Sequence, residues 1–397
     1  MRYYIFKFSI FTIFICLLAS CGNDNTAESS SESLFDVIAS NSSQDTVTQF
    51  GFEVDLVRIE QEFDLMHGDR KIPVQIGDRN NNGTPDKMFA MVDVPAGRLI
   101  RMAAFNSSGN ADPATALVGV NAVKDGEKLE LLSAYTADGQ WDGDGIILDN
   151  EWIGFRYLMQ PPFAFDIIGK RQESLLTSDQ IAGLDNRSAW GGDALAEGQS
   201  LGIGSPALFD QADIIPLSSF DTKEITVIET GPLRAEVEIV TRGIPIRGEK
   251  IDVMIKWQLE GGKHWTGLEV SILSKTDLNL QIAFGLPKHK DATDFTQGLI
   301  SNTHFAYTYG LQDANGEQLG MAILVPGRYE VDTYREDPHN YFYLVNPQQQ
   351  KVQYRVMASW GKGRKMVIDE VDFINVIKEY CAQYGATVQI KSDFHLN

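Results

Sequence analysis

Short runs rich in β-branched and aromatic residues recur along most of the chain, and Gly, Asn, Asp or Pro interrupts them. Such runs are typical of strands, and their density favours packed antiparallel sheets. The predicted fold class is all-β: an antiparallel β-sandwich with a large supersandwich-like C-terminal domain, a small N-terminal β domain and one C-terminal helix. The runs cover residues 72–76, 88–94, 99–105, 129–134, 225–230, 235–241, 251–259, 265–273, 320–325, 341–345 and 353–358.

A helical pattern stands out near the C terminus, at residues 369–384. Asp369 is suited to cap its start and Gly385 to end it. Cys381 lies on the predicted apolar face and is therefore expected to be buried as a small hydrophobic residue. The residues predicted to share that face are Val371, Ile374, Ile377, Lys378 and Cys381.

The first 21 residues have the pattern of a lipoprotein signal peptide. Arg2 and Lys7 flank the basic start, an apolar run follows, and Leu18-Ala19-Ser20-Cys21 closes the segment. The apolar run is too short for a stable membrane span, which needs about 20 residues. Cys21 is predicted to be lipidated, which anchors the protein in the cell envelope, on the periplasmic or surface face of the outer membrane. The alternative is an ordinary signal peptide with an incidental cysteine.

The remaining chain is predicted to have three parts. Residues 22–45 are mostly polar and are expected to form a flexible tether. Turn-rich segments at residues 124–128 and 137–140 interrupt the strand rhythm after it. They indicate a small β domain at residues 46–130 and a large β-sandwich domain at residues 131–397.

Acidic residues outnumber basic ones by 54 to 34, which gives a formal net charge of −20. A field of this sign repels nucleic acid, so nucleic-acid binding is excluded and an anionic substrate needs a local cationic pocket. Cys16 leaves with the signal segment and Cys21 carries lipid, so no disulfide framework is expected. The His and Cys spacings do not indicate a transition-metal site, and no cofactor is predicted to be required.

A structural calcium ion is one interpretation of the loop at residues 78–86. Its oxygen-bearing side chains alternate along the sequence, and Gly83 allows a tight turn that would bring them to one point. The alternative is a hairpin turn, because Asn, Asp and Gly are also turn residues. The predicted ligands are Asp78, Asn80, Asn82 and Asp86. A second acidic turn, with Asp142 and Asp144, is a weaker candidate of the same kind.

The segment 149–157 is predicted to be a strand that carries Arg156 on the same face as Trp152 and Gly154. The planar guanidinium of Arg156 is suited to bind a substrate carboxylate through two hydrogen bonds. A structural ion pair with one of the many acidic residues is the alternative. Tyr157, next to Arg156, is predicted to contact the substrate.

Trp190-Gly191-Gly192-Asp193 precedes a glycine-rich loop at residues 198–205. The loop lacks the Walker spacing and its lysine, so nucleotide binding is not predicted. An aromatic ring beside a flexible loop is suited to stack on a sugar, and Trp190 and Asp193 are therefore predicted to bind substrate. The alternative is a buried Trp beside glycines that make turns.

Lys288-His289-Lys290 is a basic cluster in an acidic chain. The two ammonium groups are expected to lower the pKa of His289 and keep it neutral, as a general base requires. Lys288 is predicted to hold an anionic sugar. Tyr341 is predicted to protonate the leaving oxygen, with Tyr157 as the alternative donor. The alternative is a solvated basic turn after Pro287.

These motifs together resemble a bacterial family known as domain of unknown function 4861. The blocks that carry the resemblance begin at Asp142, Asn150, Asp166, Trp190, Thr230 and Gly285. The family looks like secreted or lipid-anchored proteins of polysaccharide-utilisation loci, and a similar protein of an ulvan-degrading system is an oligosaccharide dehydratase. The resemblance implies removal of water from a saturated non-reducing-end uronic acid, which gives a 4,5-unsaturated sugar for downstream glucuronyl hydrolases.

The predicted function is therefore a lipid-anchored lyase that acts on anionic, uronate-containing oligosaccharides. His289 is the predicted base, Arg156 the group that neutralises the carboxylate, and Tyr341 the proton donor. The rival hypotheses are a non-catalytic glycan-binding lipoprotein, a polysaccharide lyase and a glycoside hydrolase.

Overall fold

The computed structural model describes residues 32–59, 61–80, 82–107, 115–124, 127–129, 134–137, 145–184, 188–313, 315–364, 367 and 369–395. Cys21, with its predicted lipidation, lies outside the described residues, and so does the predicted acidic turn with Asp142 and Asp144. Among the residues described, no helix combines the length and the hydrophobicity that a membrane span requires.

The first half of the chain forms β1 Phe35–Asn41, β2 Val47–Asp55, β3 Phe63–His67, β4 Arg70–Ile72, β5 Val74–Gly77, β6 Lys87–Val94, β7 Leu99–Asn106, β8 Val118–Lys124, β9 Glu127–Leu129, β10 Ala134–Ala137, β11 Gly145–Asn150, β12 Ile153–Tyr157, β13 Phe165–Lys170, α1 Ser178–Ala182 and β14 Gly191–Asp193. The second half forms β15 Ala207–Phe209, β16 Ile214–Pro216, β17 Thr222–Thr230, β18 Arg234–Ile246, β19 Glu249–Glu260, β20 Trp265–Ile272, β21 Gln281–Pro287, β22 Thr296–Ile300, β23 Thr303–Leu311, β24 Gln318–Pro326, β25 Val331–Glu336, β26 Asn340–Val345, β27 Lys351–Trp360, α2 Glu370–Gly385 and β28 Val388–Phe394.

The N-terminal strands form a small β-sandwich with its own core. A five-stranded sheet, β28-β1-β7-β3-β4, lies against a three-stranded sheet, β2-β6-β5. Phe35 and Met102 from the first sheet and Phe52 from the second share this core. The sandwich also takes its edge strand β28 from the C-terminal end of the chain, where Phe394 pairs with Phe35.

Strand β1 corrects the predicted tether of residues 22–45. Phe35, Val37 and Ala39 alternate with more exposed residues along β1 and are fully buried. The polar surroundings in the sequence hid this period-two pattern, which marks a half-buried strand.

The larger part of the fold packs one nine-stranded sheet against two smaller ones. The nine-stranded sheet has the order β10-β17-β18-β19-β20-β27-β24-β23-β22, the six-stranded sheet β14-β13-β12-β11-β8-β9, and the five-stranded sheet β16-β15-β21-β26-β25. Trp257 of the large sheet, Phe155 of the six-stranded sheet and Phe284 of the five-stranded sheet belong to one core. The predicted fold class, an antiparallel β-sandwich of supersandwich type, is confirmed.

Helix α2 covers part of the opposite face of the nine-stranded sheet. Phe373 and Cys381 of α2 pack with Trp265 and Leu324, which point away from the main core. Asp369 caps the helix by accepting a hydrogen bond from the backbone N–H of Asp372 at 2.9 Å, as predicted. Cys381 is buried, also as predicted, and burial raises the pKa of its thiol to about 12.

The buried face of α2 differs from the predicted one. Val371 is 66% exposed and Lys378 is also exposed, whereas Phe373 and Tyr380 are buried. The aromatic residues define the face, because their large apolar surface gains most from burial.

Candidate functional site

A polar strip runs across four neighbouring strands on the outer face of the nine-stranded sheet, beside the part that α2 covers. Strand pairing aligns its side chains in two rows. The first row is Glu236, Gln258, Gly267 and Arg355, and the second is Glu238, Lys256, Glu269 and Gln353. Because side chains alternate across a strand, the residues between these positions, such as Tyr354 and Leu268, pack into the main core.

All residues of the two rows except Glu238 form the floor and walls of a groove. Its volume is about 210 Å³, and Tyr384 of the last turn of α2 forms part of its rim. Gly267 lies in the middle of the floor, and a Cβ atom there would come within 3.1 Å of the Gln258 side chain. The missing side chain at Gly267 therefore helps to keep the groove open.

Arg355 is the main cationic group of this groove. Its guanidinium carbon lies 3.7 Å from the ring centre of Trp265 and 3.9 Å from that of Tyr384, so two aromatic rings hold it. In the part of the chain that the structure describes, its N–H groups make neither a hydrogen bond nor an ion pair. Burial lowers the pKa of Arg355, yet a guanidinium remains charged. Arg355 thus offers an oriented cationic fork to a ligand.

The two acidic groups that line the groove differ in proton affinity. Burial raises the pKa of Glu236, although Arg79 donates a hydrogen bond to it at 3.0 Å. Burial also acts to raise the pKa of Glu269, but hydrogen bonds from Lys351 at 2.9 Å and Gln353 at 2.6 Å lower it overall. Glu236 is therefore the better proton acceptor of the two.

An ion-pair network behind Glu236 fixes this end of the groove. Arg79 of the N-terminal sandwich contacts Glu229 at 3.2 Å as well as Glu236. Arg234 contacts Glu229 at 2.8 Å and Glu53 at 2.8 Å. Burial acts to raise the pKa of Glu53, but hydrogen bonds that its carboxylate accepts from Arg234 and Lys87 lower it to about 2. Because each charge in the network has a partner, Arg79 and Arg234 position Glu236 and do not compete with Arg355 for a ligand.

The predicted calcium loop joins β5 to β6 in a hairpin, which was the alternative interpretation. Its side chains bind the loop's own backbone: Asp78 accepts a hydrogen bond from Gly83 at 2.6 Å, and Asp86 accepts one from Arg79 at 2.9 Å. Asn80 and Asn82 also accept backbone hydrogen bonds, at 3.1 and 2.8 Å. Calcium binding by this loop stays a prediction, and the hydrogen bond to Asp86 fixes the loop backbone at Arg79.

Arg156 and Asp193 lie together in a buried ion-pair cluster. Arg156 donates to Asp166 at 2.7 Å and to Asp193 at 2.9 Å, and it is 6% exposed. Burial, reinforced by Asp193, raises the pKa of Asp166. Carboxylate oxygens of Asp166, Asp193 and Glu197 lie within 4.8 Å of one another and could hold a metal ion. The structural ion pair was the alternative for Arg156, and it corrects the carboxylate-binding role predicted for this residue.

Tyr157 and Trp190 are packed against the protein. Tyr157 is 1% exposed and its hydroxyl accepts a hydrogen bond from Lys223 at 3.0 Å, so a substrate has no access to it. Burial raises the pKa of Tyr157. Trp190 is half-buried and packs on the small core that contains Ile168 and Leu184. The substrate-binding role predicted for Tyr157 is wrong. Part of the Trp190 ring is exposed, and its role in binding substrate stays a prediction.

Lys288 and Tyr341 also come together, on β21 and β26. The ammonium group of Lys288 lies 4.8 Å from the ring centre of Tyr341 and donates to Glu336 at 2.9 Å. His289 is half-buried, and its Nε2 atom is buried without a hydrogen-bond partner among the residues that the structure describes. Burial of the imidazole lowers the pKa of His289. The sequence had predicted a lowered pKa too, but with the two neighbouring lysines as its cause. The catalytic roles of His289 and Tyr341 stay predictions.

Sequence reasoning did not select Arg355 or its neighbours in the groove. The sequence feature that could have identified them is the alternation of polar and apolar residues in β19 and β27. The polar positions there are Lys256, Gln258, Gln353 and Arg355. That pattern is also typical of a strand with one face in water.

Two solved structures from Enterococcus faecalis are similar to this chain. A protein in glycosyl hydrolase family 38 has a TM-score of 0.48 at 11% identity, with 90% of this chain and 47% of that one covered. An alpha-mannosidase of strain V583 has a TM-score of 0.47 at 11% identity, with 90% and 46% covered. This chain thus spans about half the length of either protein.

A search of curated proteins finds no match to this chain. A sequence model of the family described as domain of unknown function (DUF4861) matches residues 53–390, which is most of the chain. The family predicted from the sequence blocks is confirmed, and the protein belongs to the DUF4861 family.

Proposed function

We propose that this protein is a carbohydrate-active lyase that removes water from uronate-containing oligosaccharides, with the groove on the nine-stranded sheet as its active site. The observation that carries the proposal is Arg355, a guanidinium held between two rings and left without a protein acceptor among the described residues. We also propose that lipidation at Cys21 holds the enzyme at the cell envelope, as its N-terminal sequence predicts.

The reaction requires a cation beside the sugar carboxylate. The C5 proton is weakly acidic until the charge that develops on the carboxylate is neutralised. A guanidinium can do this through two parallel hydrogen bonds, whereas Lys256 in the groove wall is already paired with Glu238 at 3.3 Å. The substrate is therefore an anionic sugar bound with its carboxylate on Arg355.

Glu236 and Tyr384 are assigned the proton transfers. Glu236 takes the proton from C5, its raised pKa making it a stronger base than an ordinary carboxylate. Burial raises the pKa of Tyr384, so its hydroxyl stays protonated and can donate to the departing C4 oxygen. The C5–H and C4–O bonds break, a C4=C5 bond forms and water leaves. The proton on Glu236 then returns to Tyr384 through solvent.

The test measures the ultraviolet absorbance of the C4=C5 enol ether with saturated uronate oligosaccharides as substrates. Glu236→Gln is expected to lower kcat at least ~100-fold, the usual scale for loss of a general base. Arg355→Lys is expected to lower kcat/KM ~10-fold or more, because an ammonium cannot reproduce the two parallel hydrogen bonds. Matched controls are Glu224→Gln and Arg335→Lys, which change residues outside the groove.

The same assay separates the proposal from its rivals. His289→Gln is expected to retain activity. If His289→Gln abolishes turnover while Glu236→Gln does not, the base predicted from the sequence is correct and the groove assignment is wrong. Binding of oligosaccharide without any rise in absorbance would indicate a glycan-binding module, and new reducing ends without the chromophore would indicate a hydrolase.

A further inference from the structure

A second cavity, with a volume of about 530 Å³, lies in the N-terminal β-sandwich. Its walls come from the ends of β3, β4, β6 and β7 and from the turn at residues 93–98, with Leu117 and Leu233 closing one side. This volume is within the range of cavities that hold small molecules. The proposed lyase reaction makes no use of this cavity.

One side of the cavity is cationic. Arg70 and Arg98 line it, and among the described residues neither side chain makes a hydrogen bond or an ion pair. His67 lines the same cavity and donates from Nδ1 to the backbone oxygen of Arg101 at 2.8 Å. The acidic residue in the lining is Asp93, and its Oδ1 already accepts a hydrogen bond from Gln49 at 2.7 Å. The cavity is thus a locally positive place in a chain with a net charge of −20.

The other side of the cavity is aliphatic. Ile72, Met91, Leu117 and Leu233 line it, together with Leu99, whose side chain is 52% exposed. The described lining contains no Phe, Tyr or Trp, whose rings are the usual platform for the apolar face of a sugar. An alkyl body fits these walls better than a second oligosaccharide does, because its burial removes apolar surface from water on both sides.

We propose that this cavity binds a free amphipathic anion, a molecule with an aliphatic body and one sulfate or carboxylate group. Arg70 and Arg98 bind the anionic group, and the aliphatic wall holds the body. The site is separate from the groove and adds a ligand of a different chemical class to the proposed function.

The probe is octyl sulfate, titrated calorimetrically below its micelle concentration into the full-length chain with Cys21→Ser, which removes the predicted lipidation. Octyl sulfate is expected to bind at one site. The double variant Arg70→Gln, Arg98→Gln is expected to raise the Kd of octyl sulfate at least ~10-fold, because charge-assisted hydrogen bonds are lost. The matched control is Lys71→Gln, a neighbouring cation that pairs with Asp64 at 2.6 Å and does not line the cavity. Arg70, Lys71 and Arg98 are exposed, and thermal unfolding of the variants checks that they fold.

Three outcomes would overturn the proposal. Octyl glucoside or octyltrimethylammonium binding as tightly as octyl sulfate would mean that the arginines do not select the charge. Absence of saturable binding would mean that the cavity is not a ligand site. Binding to vesicles that contain phosphatidylglycerol, lost with Arg70→Gln and Arg98→Gln, would assign the arginines to a membrane surface instead of a free ligand.

Discussion

Lys223 is a buried lysine whose effect on stability should depend strongly on pH. Its side chain is fully buried and donates to Thr241 at 2.7 Å and to Tyr157 at 3.0 Å. The ammonium group also lies 4.9 Å from the ring centre of Phe163 and 4.7 Å from that of Phe220. Burial lowers the pKa of Lys223 to about 7, because these neighbours carry no negative charge that would compensate for lost water.

The direction of the pH dependence follows from the pKa of Lys223 in the folded and the unfolded chain. An unfolded lysine titrates near pH 10.4, so between about pH 7 and 10 the unfolded chain binds a proton that the folded chain does not. Stability therefore falls as the pH drops through this window, and the full penalty is present below about pH 7. With ~1.4 kcal/mol for each pKa unit, a lowering of about three units costs the folded state ~4 kcal/mol there.

Lys223→Met removes this penalty but leaves the buried hydroxyls of Thr241 and Tyr157 with one partner fewer each, at a cost of ~1–3 kcal/mol per group. The variant is expected to be about as stable as the natural protein at pH 6 and less stable by ~3 kcal/mol at pH 10, where little of the penalty remains to be removed. Urea unfolding of both proteins at intervals from pH 6 to 10 measures the difference, in which other titrating groups cancel. Lys290→Met, at a position whose side chain is 91% exposed, is the control with no expected trend. A difference for Lys223→Met that does not change with pH would refute the reasoning.

Three further variants test the groove and α2. Gly267→Val should fill the floor of the groove, because a Cβ atom at this position would lie 3.1 Å from the Gln258 side chain. It is expected to lower kcat/KM at least ~10-fold without loss of secondary structure. Unchanged kinetics would argue against the groove as the active site. Asp369→Ala should lower the free energy of unfolding by ~1 kcal/mol through loss of the N-cap, with Asp372→Ala as the comparison in urea titrations. Phe373→Ala should cost ~3–5 kcal/mol, because the ring is fully buried between α2 and the sheet, and a cost below ~1 kcal/mol would contradict that packing.

The roles predicted for Arg156 and Tyr157 conflict with the structure for a common physical reason. Arg156 and Tyr157 were selected because charged and aromatic residues on a strand are suited to bind an anionic sugar. The same properties allow Arg156 to pair with Asp166 and Tyr157 to accept from Lys223 inside the protein. A sequence shows that a guanidinium is present, but only its three-dimensional neighbours show whether its donors are already used.

Local patterns in the sequence determined the strands, the helix α2 with its cap at Asp369, and the burial of Cys381. These features depend on residues a few positions apart, whose spacing shows which face is apolar. Tertiary structure alone decided that β28 pairs with β1, and that Glu236, Gln258, Gly267 and Arg355 lie in one row. The pairings of β1 with β28 and of β20 with β27 join segments distant in sequence and depend on how whole sheets pack, so strand periodicity does not reveal them. The groove exists because α2 covers one part of the nine-stranded sheet and leaves the row with Arg355 beside it accessible.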